Sequence, residues 1–166
     1  MLSGAQYRES VRDGRKVWVL GEGAVDDITT HPSTKAMVDE YAAWYDRHTE
    51  PRWREALLTS SGEPWAFSIP RSADDLRRMA RSYSETLFLS AGNVTHTPGY
   101  GNLIALGILE VTQRLFPGTE RVGVASRYRD SIASAGALLT YCAGNATVGY
   151  RMRPDPAQRA GSGRIR

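Results

Sequence analysis

A chain of 166 residues is long enough to bury about two-thirds of the surface its unfolded form exposes, and short enough to do so in one domain. With 41% hydrophobic and 23% charged residues it has ordinary globular usage, which excludes a fibrous or wholly disordered chain. The net charge of +3 sits at one end: residues 151–166 hold five arginines against one aspartate, whereas residues 1–150 hold 16 basic and 17 acidic side chains, so no nucleic-acid-binding face is implied.

The first ten residues, "MLSGAQYRES", lack an apolar stretch behind a basic start, so they do not form a targeting segment. "KVWVLGEGAVDDI" then alternates apolar and polar residues around Gly21-Glu22-Gly23 and predicts a β-hairpin. In "THPSTKAMVDEYAAWYDRH", Met37, Tyr41, Trp44, Tyr45 and His48 recur at spacings of three and four, the stripe of an amphipathic helix. "ALLTSSGEPWAFSIP" predicts a second hairpin that turns at Ser61-Gly62 and ends at Pro70.

A second helix is expected in "RSADDLRRMARSYSETLFL", where Ser72 precedes Asp75 by three residues in a capping-box-like start. Its stripe is Leu76, Met79, Ala80, Tyr83 and Leu87. "TPGYGNLIALGILEVTQRLFPG" predicts a third, with Thr97 as N-cap, Pro98 at the first helical position and a stop at Pro117-Gly118. Its middle is apolar on every side, so it is expected in the core, with Gly101 and Gly107 admitting close backbone approach. Its apolar run Leu103–Leu109 falls far short of the ~20 residues a membrane span needs.

"VASRYRDSIASAGALLTYC" predicts a fourth helix with Val124, Tyr128, Ile132, Ala135, Leu139 and Cys142 on one side. Cys142 is the single cysteine, which excludes an internal disulfide, and its apolar surroundings suit a small hydrophobe. The expected architecture is mainly α, four or more helices with two small β-hairpins. It forms a single helical domain over residues 1–150, followed by a disordered basic tail, 151–166. The expected location is the cytoplasm, with no membrane and no nucleic acid as partner.

Generic catalytic signatures are absent. His31, His48 and His96 have no metal-ligand spacing, and no nucleophile elbow, phosphate loop or dinucleotide fingerprint occurs. His31 before Pro32 reads as a loop or capping residue at a helix entry. Trp44, Tyr45 and His48 read as packing, and the Asp39-Glu40 and Asp74-Asp75 pairs as acids near helix starts. His96 and Tyr100 flank a helix N-terminus, where polar ligand groups are favoured, and spacing leaves both a structural and a binding role open to them.

Three stretches taken together carry a family resemblance: "MLSGAQYRESVRDGRKVWVLGEGAVDDITTHP", "SGEPWAFSIPRSADDLRRM" and "HTPGYGN". In order and without large gaps, over about Met1 to Tyr141, the chain resembles the N-terminal region of the 4-hydroxyphenylacetate 3-hydroxylase large component, the oxygenase of two-component flavin monooxygenases. The resemblance implies the N-terminal α-domain of an acyl-CoA dehydrogenase-like flavoprotein, with a β-barrel and a helical bundle beyond it. It also implies reduced FAD delivered by a separate flavin reductase, and hydroxylation of a phenol beside its OH.

In that family an "RTPDY" motif grips the phenol through its arginine and tyrosine, and the histidine of a later "LTH" segment completes the site. Carried onto "THTPGYGN" and "LLTY", this makes His96, Tyr100 and Tyr141 the substrate-binding candidates, with His96 replacing the arginine and Tyr141 replacing the histidine. After Tyr141 the family's flavin-contacting stretch gives way to "CAGNATVGYRMRPDP", so FAD is not expected to be held tightly by this chain alone.

Three functions are consistent with these residues. One is a truncated or split component of a flavin-dependent phenol monooxygenase, completed by a partner chain. Another is a stand-alone, flavin-independent helical domain that binds or converts a hydrophobic or aromatic small molecule. The third is a non-catalytic module that forms a homo-oligomer through faces the other domains would cover.

Overall fold

The computed structural model describes residues 1–140. Among these the elements run α1 (Gly4–Ser10), β1 (Val17–Val19), β2 (Gly23–Val25), α2 (Pro32–Thr49), α3 (Arg54–Leu57), α4 (Ala73–Thr86), α5 (Tyr100–Leu115) and α6 (Glu120–Ala135). The domain is mainly helical, as its periodicities require. No helix among the described residues is long and apolar enough to cross a membrane.

Helix α1 is nucleated by a reciprocal cap: the Ser3 hydroxyl accepts the Gln6 N–H at 3.2 Å while the Gln6 side chain accepts the Ser3 N–H at 2.8 Å. Gly4 then lies flat on α2, its N–H donating to Asp46 at 2.7 Å. A Cβ at Gly4 would collide with the Ala42 carbonyl oxygen. The hairpin forms where alternation places it, pairing Val17 with Val25 and Val19 with Gly23.

Helix α2 starts with His31 as its N-cap, the ring nitrogen Nδ1 accepting the Ser33 N–H. Trp44, Tyr45 and His48 are buried, while Met37, at the start of the same stripe, is exposed. Tyr45 and Trp44 meet Phe67, Ala66 and Ile132 in one core cluster. Trp65, Met79 and Leu106 form a second. Arg129 clamps α6 to the 63–68 segment, donating to the Phe67 carbonyl at 2.7 Å and pairing with Glu63 at 3.3 Å. Arg47 lies over the rings of Trp53 and Phe88, joining α2 to the ends of α3 and α4.

Several expectations are corrected. The second hairpin is a single bridge, Leu58 to Pro64, because Arg54–Leu57 coils into α3 and no ladder follows Pro64. Helix α4 keeps Met79 on its buried side but exposes Leu76 and Ala80, and Leu87 falls in a following 3-10 helix. Helix α5 is covered on one stripe only, Gly101, Asn102, Leu106 and Leu109, with Ile108, Val111 and Leu115 exposed. Of its two glycines Gly101 alone is crowded, since Gly107 faces open space.

Helix α6 ends at Ala135, where Gly136 turns left-handed at φ 60°. Leu139 therefore lies beyond the helix, and Val124 and Tyr128 are exposed. Cys142 and the tail 151–166 lie outside the described residues.

Burial in the core holds His48 neutral. Its Nδ1 bonds the Trp44 carbonyl at 2.7 Å, its ring packs 3.8 Å from that of Trp44, and burial pushes its pKa down from 6.5 to about 4. Because the unfolded chain binds this proton more readily, the stabilisation is complete above pH 6.5 and is lost as pH falls towards 4. A gap of this size corresponds to about 3 kcal/mol. Urea titrations at stepped pH should therefore show an acid limb between pH 6.5 and 4 that His48→Gln flattens, and an unchanged limb would refute the assignment.

Candidate functional site

A cavity of about 520 Å³ opens where α1, α2, the start of α5 and the 137–140 segment meet. Tyr7 and Tyr41 face it as a stacked pair, 6.0 Å between centroids, and Tyr7 stacks in turn on buried Tyr45 at 5.1 Å. Met37 and Leu139 add apolar surface, and His96, Tyr100, Thr97 and Thr140 add polar groups. Burial raises the pKa of Tyr7 and of Tyr41, with Thr140 as a hydrogen-bond partner opposing the shift at Tyr41. Tyr45 is pushed up to about 12 by burial, and its hydroxyl donates to the Gly136 carbonyl at 2.7 Å. At neutral pH this wall presents neutral phenols.

The polar rim is built by the turn before α5. Val94–His96 forms a short 3-10 helix whose N-cap is Asn93. The Tyr100 N–H reaches back to the Thr97 carbonyl at 3.1 Å, so Pro98 and Gly99 are the central residues of a β-turn. Gly99 takes φ 90°, which a type II turn demands and a side chain resists. The Tyr83 hydroxyl donates to the Gly99 carbonyl at 2.8 Å and so fixes this turn to α4. Helix α5 therefore begins at Tyr100 with Gly99 as N-cap, two residues later than Thr97 and Pro98 would have started it. Thr97 is buried and bonds Ser90 at 2.7 Å.

The far wall depends on Gly101 and Asn102. Asn102 donates to the Ala137 carbonyl and accepts the Leu139 N–H, both at 2.9 Å, which draws the segment after α6 across the start of α5. Gly101 leaves no room for anything more, since a Cβ there would collide with the Leu139 carbonyl oxygen.

Glu40, one position before Tyr41 and three after Met37 on α2, is not among the residues lining the cavity. Its Oε1 is buried without a hydrogen-bond partner, and desolvation raises its pKa while the nearby His96 opposes the rise. Its neighbour Asp39 behaves differently, pairing with Arg8 and with Lys35 at the surface. Neither acid sits at the start of α2 as expected: both fall beyond its first turn, which holds no acid.

Of the three sequence candidates, His96 and Tyr100 share the cavity and Tyr141 lies outside the described residues. Helix α6 ends at Ala135, short of the stripe that was expected to run on to Cys142. Tyr7, Tyr41 and Glu40 were not singled out as site residues. The Ser3–Gln6 cap was the available signal for the helix that carries Tyr7, whereas no local pattern distinguishes a cavity-facing Tyr41 from a core one. Among the described residues no group of three metal-ligating side chains converges.

Residues 3–161 match the family model described as 4-hydroxyphenylacetate 3-hydroxylase N terminal. The oxygenase component of a 4-nitrophenol 4-monooxygenase/4-nitrocatechol 2-monooxygenase from Rhodococcus opacus is 40% identical over 92 residues, 53% of this chain and 17% of that protein. The 4-hydroxyphenylacetate 3-monooxygenase oxygenase component of Thermus thermophilus is 29% identical over 159 residues, 93% of this chain and 33% of that protein. A solved oxygenase component of 4-hydroxyphenylacetate 3-monooxygenase, complexed with FAD and 4-hydroxyphenylacetate, superposes with a TM-score of 0.68 at 23% identity, covering 94% of this chain and 34% of that one. The chain thus spans between about a sixth and about a third of the length of these relatives.

Gly101→Ala should lower stability by about 1–3 kcal/mol, because the added methyl must displace the 137–140 backbone. Urea unfolding measures the loss, and a stability equal to that of the parent would contradict this packing.

Proposed function

The chain belongs to the 4-hydroxyphenylacetate 3-hydroxylase N-terminal family, and on that premise we propose that it is the phenol-holding helical part of a flavin-dependent aromatic monooxygenase. The observation that carries this is the meeting of His96 and Tyr100 on one cavity walled by Tyr7 and Tyr41. Matched relatives are named for nitrophenols and for 4-hydroxyphenylacetate, all phenols.

In this proposal the ligand ring lies against the Tyr7–Tyr41 wall, with Met37 and Leu139 excluding water from its edges. The ligand hydroxyl meets Tyr100 and His96 at the α5 entrance. An imidazole can donate to a phenol or accept from it, whereas the arginine of the resembled motif is a fixed cation. The residues thus orient the ring and hold the proton of its hydroxyl.

A reduced flavin, supplied by a separate reductase, would provide the oxygen-activating chemistry. The described residues do not make a dinucleotide site by themselves: the cavity suits a single-ring ligand, and no lysine or arginine lines it to meet a pyrophosphate. The same observation favours, as second reading, a domain that binds an aromatic molecule without flavin.

Three measurements bear on this. Titration of the chain with 4-ethylphenol in a calorimeter should give saturable binding that Tyr100→Phe weakens about fivefold, the worth of one neutral hydrogen bond; absence of binding would sink the proposal. FAD fluorescence should show no saturable micromolar binding by this chain, and a clear saturation would overturn the cofactor statement. The exposed apolar groove between α5 and α6, with Ile108, Phe116, Val124 and Tyr128, should also draw a second copy of the chain. Light scattering that gives 18.3 kDa at all micromolar concentrations would refute that association.

A further inference from the structure

Met37 lines the cavity from α2, one turn before Tyr41 on the same helix face, so its thioether and the Tyr41 ring belong to one wall. The residue is 48% exposed, whereas Met79, in the core cluster with Trp65 and Leu106, is 5% exposed. Water, and small molecules dissolved in it, therefore reach Met37 and are kept from Met79. A thioether is soft and open to oxidation, and its sulfoxide is polar where the parent side chain was apolar and polarisable. Met1 is exposed to a similar degree, 52%, and is not among the residues lining the cavity. It offers the same chemistry away from the site.

Resting on the phenol-binding proposal above, we propose that Met37 is an oxidative modification site: hydrogen peroxide converts it to the sulfoxide, and the cavity then holds apolar phenols less tightly. The sulfur lone pair attacks one peroxide oxygen, an S–O bond forms and the O–O bond breaks. The departing hydroxide takes the proton of the transferred hydroxyl and leaves as water, so sulfur loses two electrons and the peroxide gains them. Before oxidation the thioether meets the edge of a bound ring in the sulfur–aromatic contact this side chain favours. Afterwards an S–O dipole stands at that edge, and a ring packed against it strips water from the oxygen without supplying a donor. The coupling runs both ways, since a ring seated against Met37 also covers its sulfur and shields it from peroxide.

The test treats the full chain with hydrogen peroxide and follows each methionine by peptide mass spectrometry, in which the sulfoxide adds one oxygen. Met37 should react at a rate close to that of Met1 and about tenfold or more faster than Met79, because access sets the rate. Saturating 4-ethylphenol should slow Met37 about fivefold and leave Met1 unchanged, and calorimetry should show the oxidised chain binding 4-ethylphenol about fivefold more weakly, the scale of one lost sulfur–aromatic contact. Circular dichroism should be the same before and after treatment. Methionine sulfoxide reductase should restore the affinity and dithiothreitol should not, which separates methionine from the sole cysteine, Cys142. In Met37→Leu the affinity should be the same before and after peroxide, which assigns the effect to this methionine. Met37 reacting as slowly as Met79, an absence of shielding by the ligand, or an affinity that peroxide leaves untouched would overturn the modification site while the phenol site stands. If 4-ethylphenol does not bind the untreated chain, the phenol site falls and the effect proposed for Met37 falls with it.

Discussion

The fold turns on the place where two residues of α5 receive the strand-like segment that follows α6. Asn102 holds that segment by both faces of its amide, one bond to Ala137 and one to Leu139, and Tyr45 takes the Gly136 carbonyl just before it. Three hydrogen bonds from two buried side chains therefore fix three of the four backbone positions 136–139. An amide satisfied at both ends in a dry environment is strongly directional, because each bond lost would leave a buried group unpaired. Gly101 makes the approach close enough for this, and the cavity exists because Leu139 and Thr140 are held in its wall.

From that crossing the rest of the site follows by packing. Tyr45 is shared between the core and the wall: its ring stacks on Tyr7 and meets Trp44 edge to face, and its hydroxyl anchors the 136–140 segment. Helix α1 is held against α2 by the Asp46 bond to the Gly4 backbone, which sets Tyr7 over Tyr41. On the opposite side Tyr83 fixes the Pro98-Gly99 turn, and with it the positions of His96 and Tyr100. The polar rim is thus carried by a turn pinned to α4, while the aromatic wall is carried by α1 and α2. A ligand between them would contact elements that are each rigid for a different reason.

Electrostatically the site is unlike the motif it resembles. A histidine in place of an arginine removes a permanent cation. Membership of the family is consequently compatible with a ligand whose charge differs from that of 4-hydroxyphenylacetate.

Much of this protein was legible in its sequence. Periods of three and four marked α2, α4 and α6, an apolar run ending at Pro117-Gly118 marked α5, alternation around Gly21 marked the hairpin, and Ser72 and His31 marked helix starts, because these signals depend on neighbours a few residues apart. The motif "HTPGYGN" also sufficed to place His96 and Tyr100 together. What tertiary structure alone decided involves partners far apart in the chain. Whether α5 is covered all round or on one stripe depends on which helices reach it, and whether Gly101 or Gly107 is crowded depends on where residue 139 runs. Glu40 and Asp39 are adjacent and chemically alike, and their different fates come from the pairing of Asp39 with Arg8 and Lys35, up to 31 positions away, and from the burial that raises the pKa of Glu40. Local pattern specifies the elements and their caps, whereas burial and charge at a site are sums over distant neighbours that only the folded chain brings together.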